Sequence, residues 1–112
     1  MRKWNLRSRV RDAASDQTRL TQVETAVDAA IGSADREFDG LKRRVEELRA
    51  RCGFIMGNGD YEEREPEDSK LLSETEDLLL RAEERLGALT THIALLGSIR
   101  DLLRHAIDQQ NA

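Results

Sequence analysis

The sequence predicts an all-α chain: an antiparallel two-helix hairpin of coiled-coil type that joins a second copy to form a four-helix bundle. Three observations predict it. From Leu20 to Cys52, residues Val27, Ile31, Ala34, Phe38, Leu41, Val45, Leu48 and Cys52 recur at steps of three and four with charged residues between them, the mark of a helix burying one narrow stripe. A second seam of the same period, from Leu72 to Ile107, follows a glycine-rich break. Charged residues make up 36% of the chain and aromatics 4%, with a single proline, a profile of long helices and not of a sandwich or barrel.

Residues 1–10 form a basic N-terminal arm. Arg2, Lys3, Arg7, Arg9 and Arg11 carry five positive charges with no acid among the first eleven residues, so a net charge of -4 for the 112 residues leaves -9 on the rest. Trp4, Leu6 and Val10 are interleaved, and the stretch reads either as a helix end or as a short arm for an anionic surface, membrane or nucleic acid, contacted by Arg2, Lys3, Trp4, Arg7 and Arg9. The chain as a whole is acidic and has no general attraction to nucleic acid.

Helix 1 is predicted over about 11–52, with Val10, Gln17, Glu24, Ile31, Phe38, Val45 and Cys52 at heptad position a and Ala13, Leu20, Val27, Ala34, Leu41 and Leu48 at d. Gly32 and Gly40 fall on the outer face, where each costs about 1 kcal/mol relative to alanine. A tip loop follows at 53–65, since Gly53, Gly57, Asn58 and Gly59 are residues that end helices. It lacks the preceding strand and the following GK[ST] of a phosphate loop, and it lacks the acid spacing of a calcium loop.

Helix 2 is predicted over about 66–109. Pro66 suits a first turn, and Glu65, Glu67 and Asp68 suit the positive end of the helix dipole. Leu72, Leu79, Leu86, Ile93, Arg100 and Ile107 take a; Thr75, Ala82, Leu89, Leu96 and Leu103 take d. Two helices of nearly equal length around one short turn pack antiparallel. A reversal near Asp60 makes facing residue numbers add to about 120, which sets Phe38 against Ala82 and Ala34 against Leu86, large against small.

Three polar residues, Gln17, Glu24 and Arg100, interrupt the seam as a polar core layer, with an ion pair between Glu24 and Arg100 in reach across the helices. A second apolar stripe runs beside the seam: Ala88, His92, Leu95, Ile99, Leu102 and Ala106 on helix 2, and Val23, Ala26 and Ala30 on helix 1. Antiparallel pairing brings the g positions of both helices to one side, so both stripes fall on the same side, near the open end. Two helices cannot bury such a face themselves. The predicted partner interface is Val23, Ala26, Ala30, His92, Leu95, Ile99, Leu102 and Ala106, and a two-fold axis lets one patch cover its own copy. The opposite side, with Asp28, Asp35, Lys42, Glu83 and Arg104, is expected to be wet, and near the tip Glu37 is expected to face Arg85.

Catalytic and metal chemistry find little to use. His92 lacks the glycine four residues on that a phosphotransfer histidine motif carries, because Gly97 lies five on. Cys52 has no histidine predicted beside it to act as base, and a single thiol supports neither a disulfide framework nor a zinc site. Paired acids such as Glu46 and Glu47 or Glu83 and Glu84 point apart on a helix. No apolar run approaches a membrane span and no signal core follows the basic start. The expectation is a non-enzymatic, cytoplasmic interaction protein, an adaptor, chaperone or assembly component. It is expected to be a homodimer or to bind a protein partner, without cofactor, metal or small-molecule substrate.

Overall fold

The computed structural model describes the backbone of residues 2–57 and 66–112 and the side chains of residues 8–57 and 66–112. Two helices make up nearly all of it, α1 (Arg2–Gly57) and α2 (Pro66–Gln110), with no strand among the described residues. They pack against each other as an antiparallel hairpin.

α1 is longer at both ends than its predicted span. It starts at Arg2 instead of about Arg11 because the first ten residues hold no glycine or proline to break it. It runs to Gly57 instead of about Cys52, carrying Gly53 inside the helix. One glycine costs about 1 kcal/mol. Continuing the helix places Ile55 at d, where it is half-buried while Phe54 and Met56 stay exposed. The part of the predicted tip loop at 53–57 is therefore helix, and 58–65 lies outside the described residues. α2 begins at Pro66 as predicted, with Glu67 and Asp68 in its first turn. It closes with the Asn111 N–H donating to the Ile107 carbonyl at 3.2 Å.

The pairing falls into two compact units, Met1–Ser33 with Ile93–Ala112, and Ala34–His92. In the second unit Val45, Leu48 and Ala82 form a buried cluster with Leu41, Leu79 and Leu86 packed against it. These six sort into three layers when facing residue numbers add to 127, Val45 with Ala82, Leu48 with Leu79, and Leu41 with Leu86. Cys52 and Thr75, which add to the same figure, are both buried. The Thr75 hydroxyl is satisfied on its own helix, donating to the Leu71 carbonyl at 2.7 Å.

The register therefore differs by one heptad from the predicted sum near 120. Phe38 belongs opposite Leu89 and not Ala82, and Leu48 opposite Leu79 and not Leu72. The physical reason is the length of α1: its extra turn through Ile55 moves the chain reversal toward α2. Seven residues is one full repeat, so every a and d position keeps its place in the seam after the slip.

Within the first unit Leu20, Val27 and Ile31 are half-buried, as are Leu96 and Leu103, and Ile107 is buried. Two ion pairs cross between the helices there: Arg104 Nε to Glu24 Oε2 at 3.4 Å and Arg100 Nη1 to Asp28 Oδ1 at 4.0 Å. Both pairs have numbers adding to 128, the spacing expected when an a residue reaches the e residue beside its facing d. Gln17 lines a surface groove together with Gln110, the last residue of α2. Before Gln17 α1 has no facing helix, and Val10 at the a position is 66% exposed.

Candidate functional site

A heptad places g beside c on the helix surface, so a second apolar stripe at those positions forms one strip next to the buried seam. In the first unit that strip is open to solvent. Val23 is 47% exposed, Leu95 57%, Ile99 37% and Leu102 72%, with Ala26 and Ala30 exposed and Ala106 half-buried. The e side of the same unit carries the two ion pairs of Glu24 with Arg104 and Asp28 with Arg100. Charge is satisfied on one side and apolar surface is left bare on the other.

His92, the remaining residue of the predicted interface, belongs to the second unit and is exposed there. Its positive field acts on Glu37, whose main partner is Arg85. The Arg85 guanidinium grips Glu37 with a fork, Nε to Oε2 at 2.7 Å and Nη2 to Oε1 at 3.1 Å. That hydrogen bond holds the Glu37 carboxyl below its usual range and raises the Arg85 pKa in return; the charges of Arg85 and then His92 add to the first effect against a partial loss of hydration. The pair is the one expected from the g positions. Arg49 donates to Glu83 at 2.8 Å on the other side of that unit.

The polar core layer is rearranged. Of Gln17, Glu24 and Arg100 only Glu24 is withdrawn from solvent, its side chain 17% exposed, while the other two are exposed. The partner of Glu24 is Arg104 and not Arg100. The one-heptad slip explains the exchange, since it sets Leu103 in place of Leu96 opposite Glu24 and brings Arg104 alongside. Gln17 is exposed because α2 ends opposite it at Gln110. Arg104 was the residue that sequence reasoning assigned only to a wet face; its spacing of four from Arg100, which joins e to a on one side of the helix, was the available signal.

Of the basic arm, Arg9 is exposed, and the side chains of Arg2, Lys3, Trp4 and Arg7 lie outside the described residues. Near the end of α1, Phe54 is 70% exposed, and Leu71, Leu78 and Leu80 are 46%, 45% and 57% exposed. Cys52 is a buried free thiol, and His92 and His105 are exposed. Among the described residues no group of three or more His, Cys, Asp or Glu side chains could hold a metal ion. Among the described residues no helix is long and apolar enough to cross a membrane. One surface groove is lined by α1 alone, through Ala14, Gln17, Thr18, Thr21, Gln22 and Thr25, with no facing wall to enclose a ligand.

Fold and surface together define an all-α helical hairpin that is charged on one side of its first unit and apolar on the other. Comparison with known protein families, curated proteins and solved structures found no match.

Proposed function

We propose that this chain is a non-enzymatic interaction protein, an adaptor, chaperone or assembly component, that pairs with a second copy through the strip bearing Val23, Ala26, Ala30, Leu95, Ile99, Leu102 and Ala106. The carrying observation is the exposure of four large apolar side chains on one side of the first unit. Their exposed fractions, 47%, 57%, 37% and 72%, amount to about two whole side chains per copy. At about 1.5–3 kcal/mol for a fully buried side chain, two copies gain about 6–12 kcal/mol. Association costs about 4–15 kcal/mol in lost freedom. The two ranges overlap, which sets any dimer at modest affinity, and the alanines at 26 and 30 allow close approach of the helices.

Light scattering on the wild type and on an Ile99→Glu, Leu102→Glu variant tests this reading. The expected result is a dimer at tens of micromolar that the double substitution converts to monomer while helicity is kept. A wild-type monomer at that concentration overturns it.

A second reading, binding of an anionic membrane or nucleic acid through Arg2, Lys3, Trp4, Arg7 and Arg9, is favoured by one observation. α2 ends at Gln110, so the stretch of α1 that carries Arg9 and Arg11 has no facing helix and both residues are exposed. Deleting residues 2–9 should then abolish salt-sensitive binding to anionic vesicles or DNA. Absence of such binding by the full chain at low salt overturns it.

A further inference from the structure

We infer that the two crossed ion pairs of the first unit, Glu24 with Arg104 and Asp28 with Arg100, select the register of the hairpin, and that a second register displaced by one heptad is held off by them. The apolar seam alone does not choose. With facing numbers adding to 127 the seam half-buries Ile55, whose facing number is that of Leu72, and leaves Ala13 without a facing residue. With 120 it gains Ala13 beside Ile107 and gives up the Ile55 contact. Every layer between stays filled with a and d side chains in either arrangement.

The charges distinguish the two arrangements unequally. In the second unit, Arg49 and Glu83 part in the shifted register, but Glu76 then comes opposite Arg49 and Lys42 opposite Glu83, so salt-bridge partners are exchanged like for like. Arg85 keeps Glu37 within reach in both. In the first unit the replacement is only partial: two facing pairs give way to a single reach from Glu24 to Arg100, one layer away. Glu24 would come beside Gly97, Asp28 beside Ile93, Arg100 beside Thr21 and Arg104 beside Gln17. Glu24 carries the largest share because its side chain, at 17% exposure, would exchange the cation alongside it for one a layer away. The polar residues of the seam thus act as a register key, the use for which buried charge in paired helices is best suited.

The only cysteine supplies the readout, far along the chain from the key. In the observed register Cys52 faces Thr75; in the shifted one it faces Asp68, about 10 Å away along α2. Thr75→Cys and Asp68→Cys are each made in the full chain and treated with a short thiol-specific crosslinker. Intramolecular product is separated from any product linking two copies by its mobility. With native charges, Thr75→Cys links to Cys52 and Asp68→Cys does not. Adding Glu24→Lys and Asp28→Lys, which repel Arg104 and Arg100, should reverse the preference at least tenfold. The milder Glu24→Gln, Asp28→Asn pair should give both products. Restoring opposite charge with Arg100→Glu and Arg104→Glu in the lysine background should return the link to Thr75→Cys. Retention of the Thr75 link in the lysine variant, or loss of both links, overturns the inference. It does not depend on dimer formation, since all products scored lie within one chain.

Discussion

Leu48→Ala gives the most direct test of the packing. Leu48 is 1% exposed and sits in the layer with Leu79, between Val45 with Ala82 and the tip-side pair Cys52 with Thr75. Removing its branched end loses transfer energy and leaves a cavity. Across the seam Leu79 shares its layer and the adjacent Ala82 is too small to reach into the space, so only Leu79 can relax toward the cavity. The cost should therefore fall in the upper part of the usual range, about 3–4 kcal/mol. For a chain of this size each kcal/mol moves the thermal midpoint by about 4–8 °C, so a loss on the order of 10–30 °C is expected. Leu80→Ala is the control: Leu80 is 57% exposed and its truncation should change stability by no more than about 0.5 kcal/mol. Urea and thermal unfolding followed by far-ultraviolet circular dichroism, at one fixed protein concentration, measure both. A Leu48→Ala cost below about 1 kcal/mol, or one equal to that of Leu80→Ala, refutes the packing described for the Val45, Leu48 and Ala82 cluster.

Glu37→Gln tests the fork with Arg85 through pH. The folded-state pKa of Glu37 is depressed, so its contribution is full above the unfolded value and is lost as pH falls through the folded one. The midpoint difference between wild type and variant should hold near neutrality and shrink to nothing in acid below the usual carboxylate range; a difference unchanged by pH sinks the assignment. Arg104→Ala should cost about 1 kcal/mol by stranding the half-buried Glu24, and more than Arg100→Ala, whose partner Asp28 is 54% exposed and 4.0 Å away. Equal losses in urea unfolding would contradict that order. Gly87→Ala should stabilise by about 0.5–1 kcal/mol, because an added methyl at this helical glycine meets nothing within 4 Å; destabilisation in the same assay would show that the position is not open.

The seam from Leu20 to Cys52 was fully legible, since each a and d residue in it is buried or half-buried. Periodicity reports which face of a helix is covered, and that information is local. Register is another kind of information. A heptad pattern maps onto itself when shifted by seven, and the volume match of Phe38 with Ala82 favours the wrong one of the two arrangements over Phe38 with Leu89. What separates the two is the e residues next to the seam, Asp28 and Arg104, whose roles show only when both helices are considered together. The Glu37 and Arg85 pair was readable because the g positions bring them into reach in either register. The ends of α1 were not legible from residue type. Gly53 is a strong local breaker, and the half-burial of Ile55 two residues later decided the outcome. For the candidate surface, the stripe positions were readable from spacing, whereas the fate of Gln17 depended on where α2 stops.

The solitary thiol of Cys52 also works as a clock. Enclosed in the seam with 9% exposure, it reacts with an external reagent only in the instants when the two helices part around it. Its labelling rate, divided by that of a free thiol, therefore counts openings of this stretch of the hairpin in undenatured protein. The natural sequence thus carries its own gauge of how often that end breathes, without an added probe.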